Sequence, residues 1–388
     1  MNAVALETVQ GRVWDAAVIG AGPAGAMLAR QLARQGASVF LVDKAAFPRR
    51  KVCGCCLNQR AVSALEEAGL GHILRQNGAV PLRSLNLVVA GQNAVITLPS
   101  GYALSREVFD TALVNEAIAA GASFLPQTRA DGSATQENVR TLRLRRDNAD
   151  FEIAVQAVVV ASGLGSKLSG HDEDLLAPPT PHSRIGAGTI LESLPDGYHS
   201  ETIYMGCGSR GYIGLVAVEG RRLNIAAALD AEWVKECGGL PFAAARLLQE
   251  SSLPPITGIE ELPWKGTPAL TRRASRVSSH RLFILGDAAG YIEPFTGEGM
   301  AWALTSALAL APLVVRALED YRPEVETDWE GLYHQLVVKR QGFCRILASL
   351  LRHPGWMKQG VRLLRALPQA AAPMVRSVNA RLQLQGEP

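Results

Sequence analysis

Val13-Trp14-Asp15-Ala16-Ala17-Val18-Ile19 runs directly into Gly20-Ala21-Gly22-Pro23-Ala24-Gly25, and this junction decides the fold. The first seven residues read as a short buried strand. Ala26 to Gln35 has helical character, Gly36 stops it, and Ser38 to Val42 forms a second strand ending at Asp43. A Gly-x-Gly-x-x-Gly turn between a strand and a helix is the βαβ context that a chance glycine cluster lacks. Gly20 permits the tight turn, Gly22 lets the backbone approach a pyrophosphate, and Gly25 brings helix and strand together. Pro23 and Ala24 open the helix, whose free N–H groups and partial positive charge face the phosphates. Asp43 is placed to accept hydrogen bonds from ribose hydroxyls, with Lys44 beside it at the same nucleotide end.

A second match serves as a control. Gly206-Cys207-Gly208-Ser209-Arg210-Gly211 has the same spacing, but Tyr212 to Val216 after it reads as a strand and no helix starts there. The spacing predicts a hairpin turn, hence one dinucleotide site.

Farther along, Arg281 to Leu285 forms a strand leading to Gly286-Asp287-Ala288-Ala289-Gly290, then Pro294, Gly297-Glu298-Gly299-Met300 and a long helix from Ala301. With the N-terminal turn, these motifs resemble the flavoprotein superfamily that includes para-hydroxybenzoate hydroxylase, flavin-dependent halogenases and geranylgeranyl reductases. The resemblance covers most of the chain to about residue 310 and implies FAD as cofactor. It implies that Asp287, after Gly286, bonds the ribityl chain, and that the Pro294/Gly297/Gly299 turn lies against the isoalloxazine ring. The helix starting near Gly299 and Met300 then aims its positive end at the flavin edge where reduction adds negative charge. Ser105 can cap a helix with Phe109, Ala112, Leu113 and Ala117 on its apolar face; the resemblance makes Arg106 at its start a cofactor contact. Ala157 to Val160 reads as a buried strand running into Ala161-Ser162-Gly163-Leu164-Gly165-Ser166. This aligns with the superfamily's Ala-Asp-Gly-x-x-Ser segment with Ser162 in place of the Asp, a departure from the aromatic hydroxylases.

Phe47-Pro48-Arg49-Arg50-Lys51-Val52-Cys53-Gly54 resembles the Pro-x-x-Lys-x-Cys-Gly stretch of geranylgeranyl reductases and some halogenases. The resemblance nominates Cys53 as a catalytic residue, with Lys51 as a neighbouring cation able to lower a thiol pKa. Cys55 and Cys56 stand where that family often has an acidic and an apolar residue. A second domain should lay a β-sheet over the ring, with strands at Leu85–Val89, Ala94–Leu98, Ser183–Leu191, Glu201–Met205, Tyr212–Val218 and Leu223–Leu229. Tyr212 stands where isoprenoid reductases carry a Tyr-x-Trp-x-Phe-Pro motif and is nominated as an aromatic wall. The Trp-x-Trp-x-Ile-Pro motif of halogenases is absent, which counts against halogenation.

The fold class expected is α/β, a Rossmann-like FAD-binding domain with a parallel sheet, interwoven with a mostly antiparallel substrate domain and a C-terminal helical region. The boundaries assigned are 12–80, 101–180 and 276–310 for the FAD-binding domain, 81–100 and 181–275 for the substrate domain, and 311–388 for the basic helical region. Hydrophobic residues at 48% and charged ones at 19% supply a large core and argue against disorder. Six cysteines in 388 residues make no disulfide scaffold, and no second Cys or His pair completes a metal site. No signal peptide is evident. The apolar stretch Ala301 to Val315 falls short of the roughly 20 residues a spanning helix needs. A cytoplasmic protein, at most peripheral to a membrane, is expected.

The formal charge of +3 hides an asymmetry: nine Lys or Arg and no Asp or Glu lie between Gly331 and Gly386. Leu332 to Ala366 alternates apolar and basic residues at helical spacing, broken by Pro354 and, farther on, Pro368 and Pro373. This region reads either as a solvated helical cap or as a docking surface for an acidic carrier protein, an anionic substrate or a membrane. Nucleic acid is excluded as partner because neither a recognition motif nor interleaved aromatics accompany the charge. The leading reading is a reductase: NAD(P)H or a protein donor reduces FAD, which passes hydride to a C=C bond of a hydrophobic, isoprenoid-like substrate. The alternatives are a monooxygenase, an electron-transfer flavoprotein, and a non-catalytic FAD-binding module.

Overall fold

A computed structural model of the chain describes residues 9, 11–136, 138–147, 149–165, 175, 178–293 and 295–380. The fold is α/β, with two large sheets. In the first, Val13–Ile19 is central and pairs in parallel with Val39–Val42 on one side and Ala149–Val160 on the other. Ser123–Leu125 and Leu282–Ile284 extend the parallel order outward. Ala16, Ala17 and Val18 are fully buried, the continuous apolar run of a strand covered on both faces. Register places Ile19 beside Val42 and Val160, and Val160 beside Ile284. Four parallel strands therefore end on one line, and the chain leaves them through Gly20, Asp43, Ala161 and, after Leu285, Gly286. In open α/β sheets that edge is where ligands bind.

The second sheet has seven strands, from Lys265–Ala269 at one edge to Gln92–Thr97 at the other. Its pairings are antiparallel except that Thr202–Gly208 runs parallel to Ser84–Val89. Gly208 pairs with Gly211, so the second glycine cluster is a hairpin turn, as its lack of a following helix predicts.

The Gly299–Glu319 helix corrects one expectation. At 21 residues it is longer than the apolar stretch suggests, long and apolar enough to cross a membrane by length and composition alone. Thr305 donates to the Ala301 carbonyl and Ser306 to that of Trp302, so their hydroxyls do not interrupt it, and Pro312 lies inside it. Most of the helix is buried, packed on the Pro23–Arg34 and Gln59–Glu67 helices.

Candidate active site

The glycine turn is tight for steric reasons. A Cβ on Gly20, whose φ is +105°, would stand 2.5 Å from the Ala161 carbonyl oxygen, and one on Gly25 would stand 1.9 Å from that of Gly20. Gly22 is not so crowded: its Cβ position would be in ordinary van der Waals contact, 3.7 Å from an Arg106 nitrogen and 3.8 Å from one of Arg49. The Pro23–Arg34 helix begins there with Pro23 and Ala24, no side-chain cap and no acidic residue in its first turn. Its N–H groups are left for an anion.

Asp43 accepts from the Ala21 and Ala45 N–H groups, both at 2.9 Å, and pairs with Arg49 at 3.4 Å. Arg49 also reaches the fully buried Asp110 at 3.2 Å. Arg106 grips Asp110 at 2.6 and 2.8 Å, and Ser105 caps the helix that carries both by accepting from the Val108 N–H. The two carboxylates fix two guanidiniums beside the glycine turn. Arg49 and Asp110 were missed in the sequence, although Asp110 lies one helical turn beyond Arg106, the spacing of a helical ion pair.

From this turn a cavity of about 950 Å³ opens between the two sheets. Gly20, Gly22, Pro23, Ala24, Asp43, Lys44, Arg106, Gly286, Asp287, Gly297, Gly299 and Met300 all line it; Gly25 lies behind. Pro294, nominated with them, lies outside the described residues, as does Ser166. Burial raises the Asp287 pKa, opposed by Lys51 and Arg106. Burial lowers that of Lys51, helped by Arg106 and Arg49. The Gly299–Glu319 helix presents an uncapped N-terminus, because the Glu298 carboxylate turns to Arg60 at 3.5 Å, Thr296 at 2.9 Å and Cys344 at 3.3 Å.

Cys53 and Cys55 lie in a loop on the cavity wall, and Cys56 opens the short strand that follows it. Asn224 of the second sheet donates to the Cys53 carbonyl at 2.9 Å, and the Cys55 N–H lies 3.4 Å from the Cys53 sulfur. The Cys55 thiol and Arg106, against burial, bring the Cys53 pKa down to about 6. Burial and the Cys53 charge push Cys56 up to about 12, and Cys55 is raised well above its ordinary value. The cation that acts on Cys53 is therefore Arg106, from a helix more than fifty residues away, not the neighbouring Lys51. The Lys51 ammonium turns toward Gly163 instead, 2.9 Å from where a Cβ would stand.

Tyr212 also lines the cavity, its ring edge-on to Phe295 at 5.2 Å. Its hydroxyl is buried without a hydrogen-bond partner, and burial raises its pKa well above the ordinary value. Apolar side chains on the cavity wall include Leu85, Ile96, Met205 and Val216 from the second sheet and Leu347 and Met374 from the C-terminal helices. Part of the basic region thus also contributes to the cavity wall. Its last helix is tied to the Gln59–Glu67 helix, with Arg60 donating to the Ser377 and Ala380 carbonyls at 3.1 Å each. Among the described residues no group of His, Cys, Asp or Glu could hold a metal ion.

These features fit FAD: a Cβ-free approach to an uncapped helix start flanked by two guanidiniums, a carboxylate at the end of the second strand, and a second uncapped helix across the cavity. Residues 14–324 match the family described as FAD binding domain, and the chain belongs to it. It is an FAD-dependent oxidoreductase. It is 26% identical over 382 residues to a menaquinone reductase of Mycobacterium tuberculosis, covering 88% of this chain and 85% of that one. It is 27% identical over 318 residues to a digeranylgeranylglycerophospholipid reductase of Methanosphaerula palustris, covering 79% and 77%. A geranylgeranyl bacteriochlorophyll reductase-like protein from Thermoplasma acidophilum shares the fold with a TM-score of 0.75 at 19% identity, covering 94% and 98%.

Proposed function

We propose that the protein saturates a carbon–carbon double bond of a hydrophobic, isoprenoid-like substrate with electrons from NAD(P)H. The observation that carries the proposal is that the cavity holding the glycine turn is also lined by Leu85, Ile96, Met205, Val216, Leu347 and Met374. Such a wall rewards burial of hydrocarbon by roughly 25 cal/mol per Å². The names of the menaquinone and digeranylgeranylglycerophospholipid reductases agree with it.

Arg49, Arg106 and the Pro23–Arg34 helix start would hold the pyrophosphate, Asp43 the ribose and Asp287 the ribityl chain. Bound FAD, once reduced, would supply the hydride to one carbon of the double bond, and the other carbon would take a proton from solvent. The uncapped start of the Gly299–Glu319 helix stabilises negative charge beside it. Cys53, its pKa brought down to about 6 by the Cys55 thiol and Arg106, favours negative charge at the cavity wall. Tyr212 keeps its proton and offers an unpaired hydroxyl to a polar end of the substrate.

The test is to incubate the FAD-loaded protein with NADPH or NADH and a short-chain menaquinone in detergent, without oxygen, and weigh the product. A product richer by two hydrogens, with the side chain reduced, supports the proposal. A product that forms only when oxygen is admitted, and that carries one oxygen atom more, overturns it in favour of a monooxygenase.

A further inference from the structure

Among the described residues nine large apolar side chains stand well exposed, and six of them are close together in sequence. Phe343, Ile346 and Leu350, 40%, 63% and 41% exposed, belong to the Lys339–Leu350 helix. Trp356, Leu363 and Leu367, 71%, 53% and 55% exposed, belong to the Pro354–Ala366 helix and the residue after it. Isolated exposed apolar residues need no account, but six on two consecutive helices do.

The Pro354–Ala366 helix has three strips at about 3.6 residues per turn. Met357, Val361 and Leu364 face inward and join a cluster with Leu87, Val89 and Ala94 of the second sheet. Trp356, Leu363 and Leu367 repeat at i, i+7 and i+11 and form an apolar strip on one outward flank. Lys358, Arg362 and Arg365 repeat at i, i+4 and i+7 and form a basic strip on the other. No Asp or Glu lies between residues 331 and 386 to neutralise it. In the preceding helix Leu347 lies on the side that carries Phe343, Ile346 and Leu350, and Leu347 lines the cavity. The exposed apolar strip of the Lys339–Leu350 helix therefore reaches the cavity wall.

We propose that this face docks on an anionic phospholipid surface and that Leu347 lies at the point where a hydrophobic substrate passes from the bilayer into the chamber. Trp356, Ile346 and Leu363 enter the boundary between headgroups and acyl chains, while Lys358, Arg362 and Arg365 meet lipid phosphates. An acidic carrier protein would be matched by the basic strip alone and would leave the apolar strip in water. A second copy of the chain would bring like charge against like charge in a two-fold contact. The purpose of the surface rests on the proposed hydrophobic substrate, but its test does not.

The FAD-loaded full chain is sedimented with vesicles of phosphatidylcholine mixed with phosphatidylglycerol, and with vesicles of phosphatidylcholine alone. Binding to the mixed vesicles, weakened by salt, is expected. Trp356→Glu and Ile346→Glu should each weaken it about tenfold or more, the loss of one inserted side chain, and Arg362→Gln with Arg365→Gln should weaken it too. Bound flavin and circular dichroism should stay unchanged in each variant. Absent vesicle binding, binding indifferent to Trp356→Glu, or a dimer in sedimentation equilibrium that Trp356→Glu dissociates would each overturn the proposal. Turnover of a short-chain menaquinone delivered in detergent reports on the reductase reading separately, so failure of one leaves the other standing.

Discussion

The Cys55 thiol and the Arg106 guanidinium bring the Cys53 pKa down to about 6 against the cost of burial, which favours the thiolate at neutral pH. Thiolate is the reactive form, so alkylation of Cys53 by iodoacetamide should rise through pH about 6 and level off above it. Cys55→Ala removes the larger cause and should move the midpoint up, and Arg106→Gln should also raise it. Mass spectrometry assigns the label to Cys53, and a midpoint near the ordinary thiol value in the unsubstituted chain would contradict this electrostatic account. Asp287→Ala should abolish FAD retention through gel filtration while circular dichroism is unchanged; a variant that elutes fully flavinylated would remove Asp287 from the site. At this scale Gly20, Gly22, Gly25 and Asp43 were legible from the strand–turn–helix order, and Asp287 from the resemblance. Arg106 was legible as a helix-start residue, but not as the partner of Cys53. Arg49 was quoted only as part of the stretch before Cys53, without a role, because its contacts, Asp43 and Asp110, depend on how a helix and a strand end meet.

Among elements, the close approach of the first strand and first helix depends on Gly25. Gly25→Ala would drive a Cβ into the Gly20 carbonyl, and overpacking of this kind costs about 1–3 kcal/mol or more. The expected outcome is a lower Tm by calorimetry together with weaker FAD binding, and a Tm and affinity equal to those of the parent chain would contradict the packing argument. The Glu298 carboxylate sits at the start of the Gly299–Glu319 helix and is balanced by the buried Arg60. Arg60→Met leaves that charge less compensated, so stability should fall by roughly 3–5 kcal/mol, measured by denaturant unfolding; a change under about 1 kcal/mol would mean that Thr296 and Cys344 suffice. The parallel strands and their following turns could be read from residue order alone. The C-terminal helices could not be placed. Their basic charge and prolines were visible, but the pairing of the Asn379 side chain with the Gln59 N–H spans 320 residues, and no local pattern reports such a contact.

At the scale of the molecule, one cavity joins the ends of four parallel strands, the inner face of a seven-stranded sheet and the C-terminal helices. A ligand that binds the folded state alone raises stability with its concentration, so Tm should climb as FAD is added in excess and should not respond in Asp287→Ala. The duplicate glycine pattern at 206–211 turns a hairpin, which leaves the turn at Gly20 as the one glycine-rich strand–helix junction of this kind among the described residues. The most direct measurement is the quantity of FAD released on denaturing the reconstituted, gel-filtered protein. One FAD per chain is the result expected. Two per chain, or none after incubation with saturating FAD, would contradict the single site on which every other inference stands.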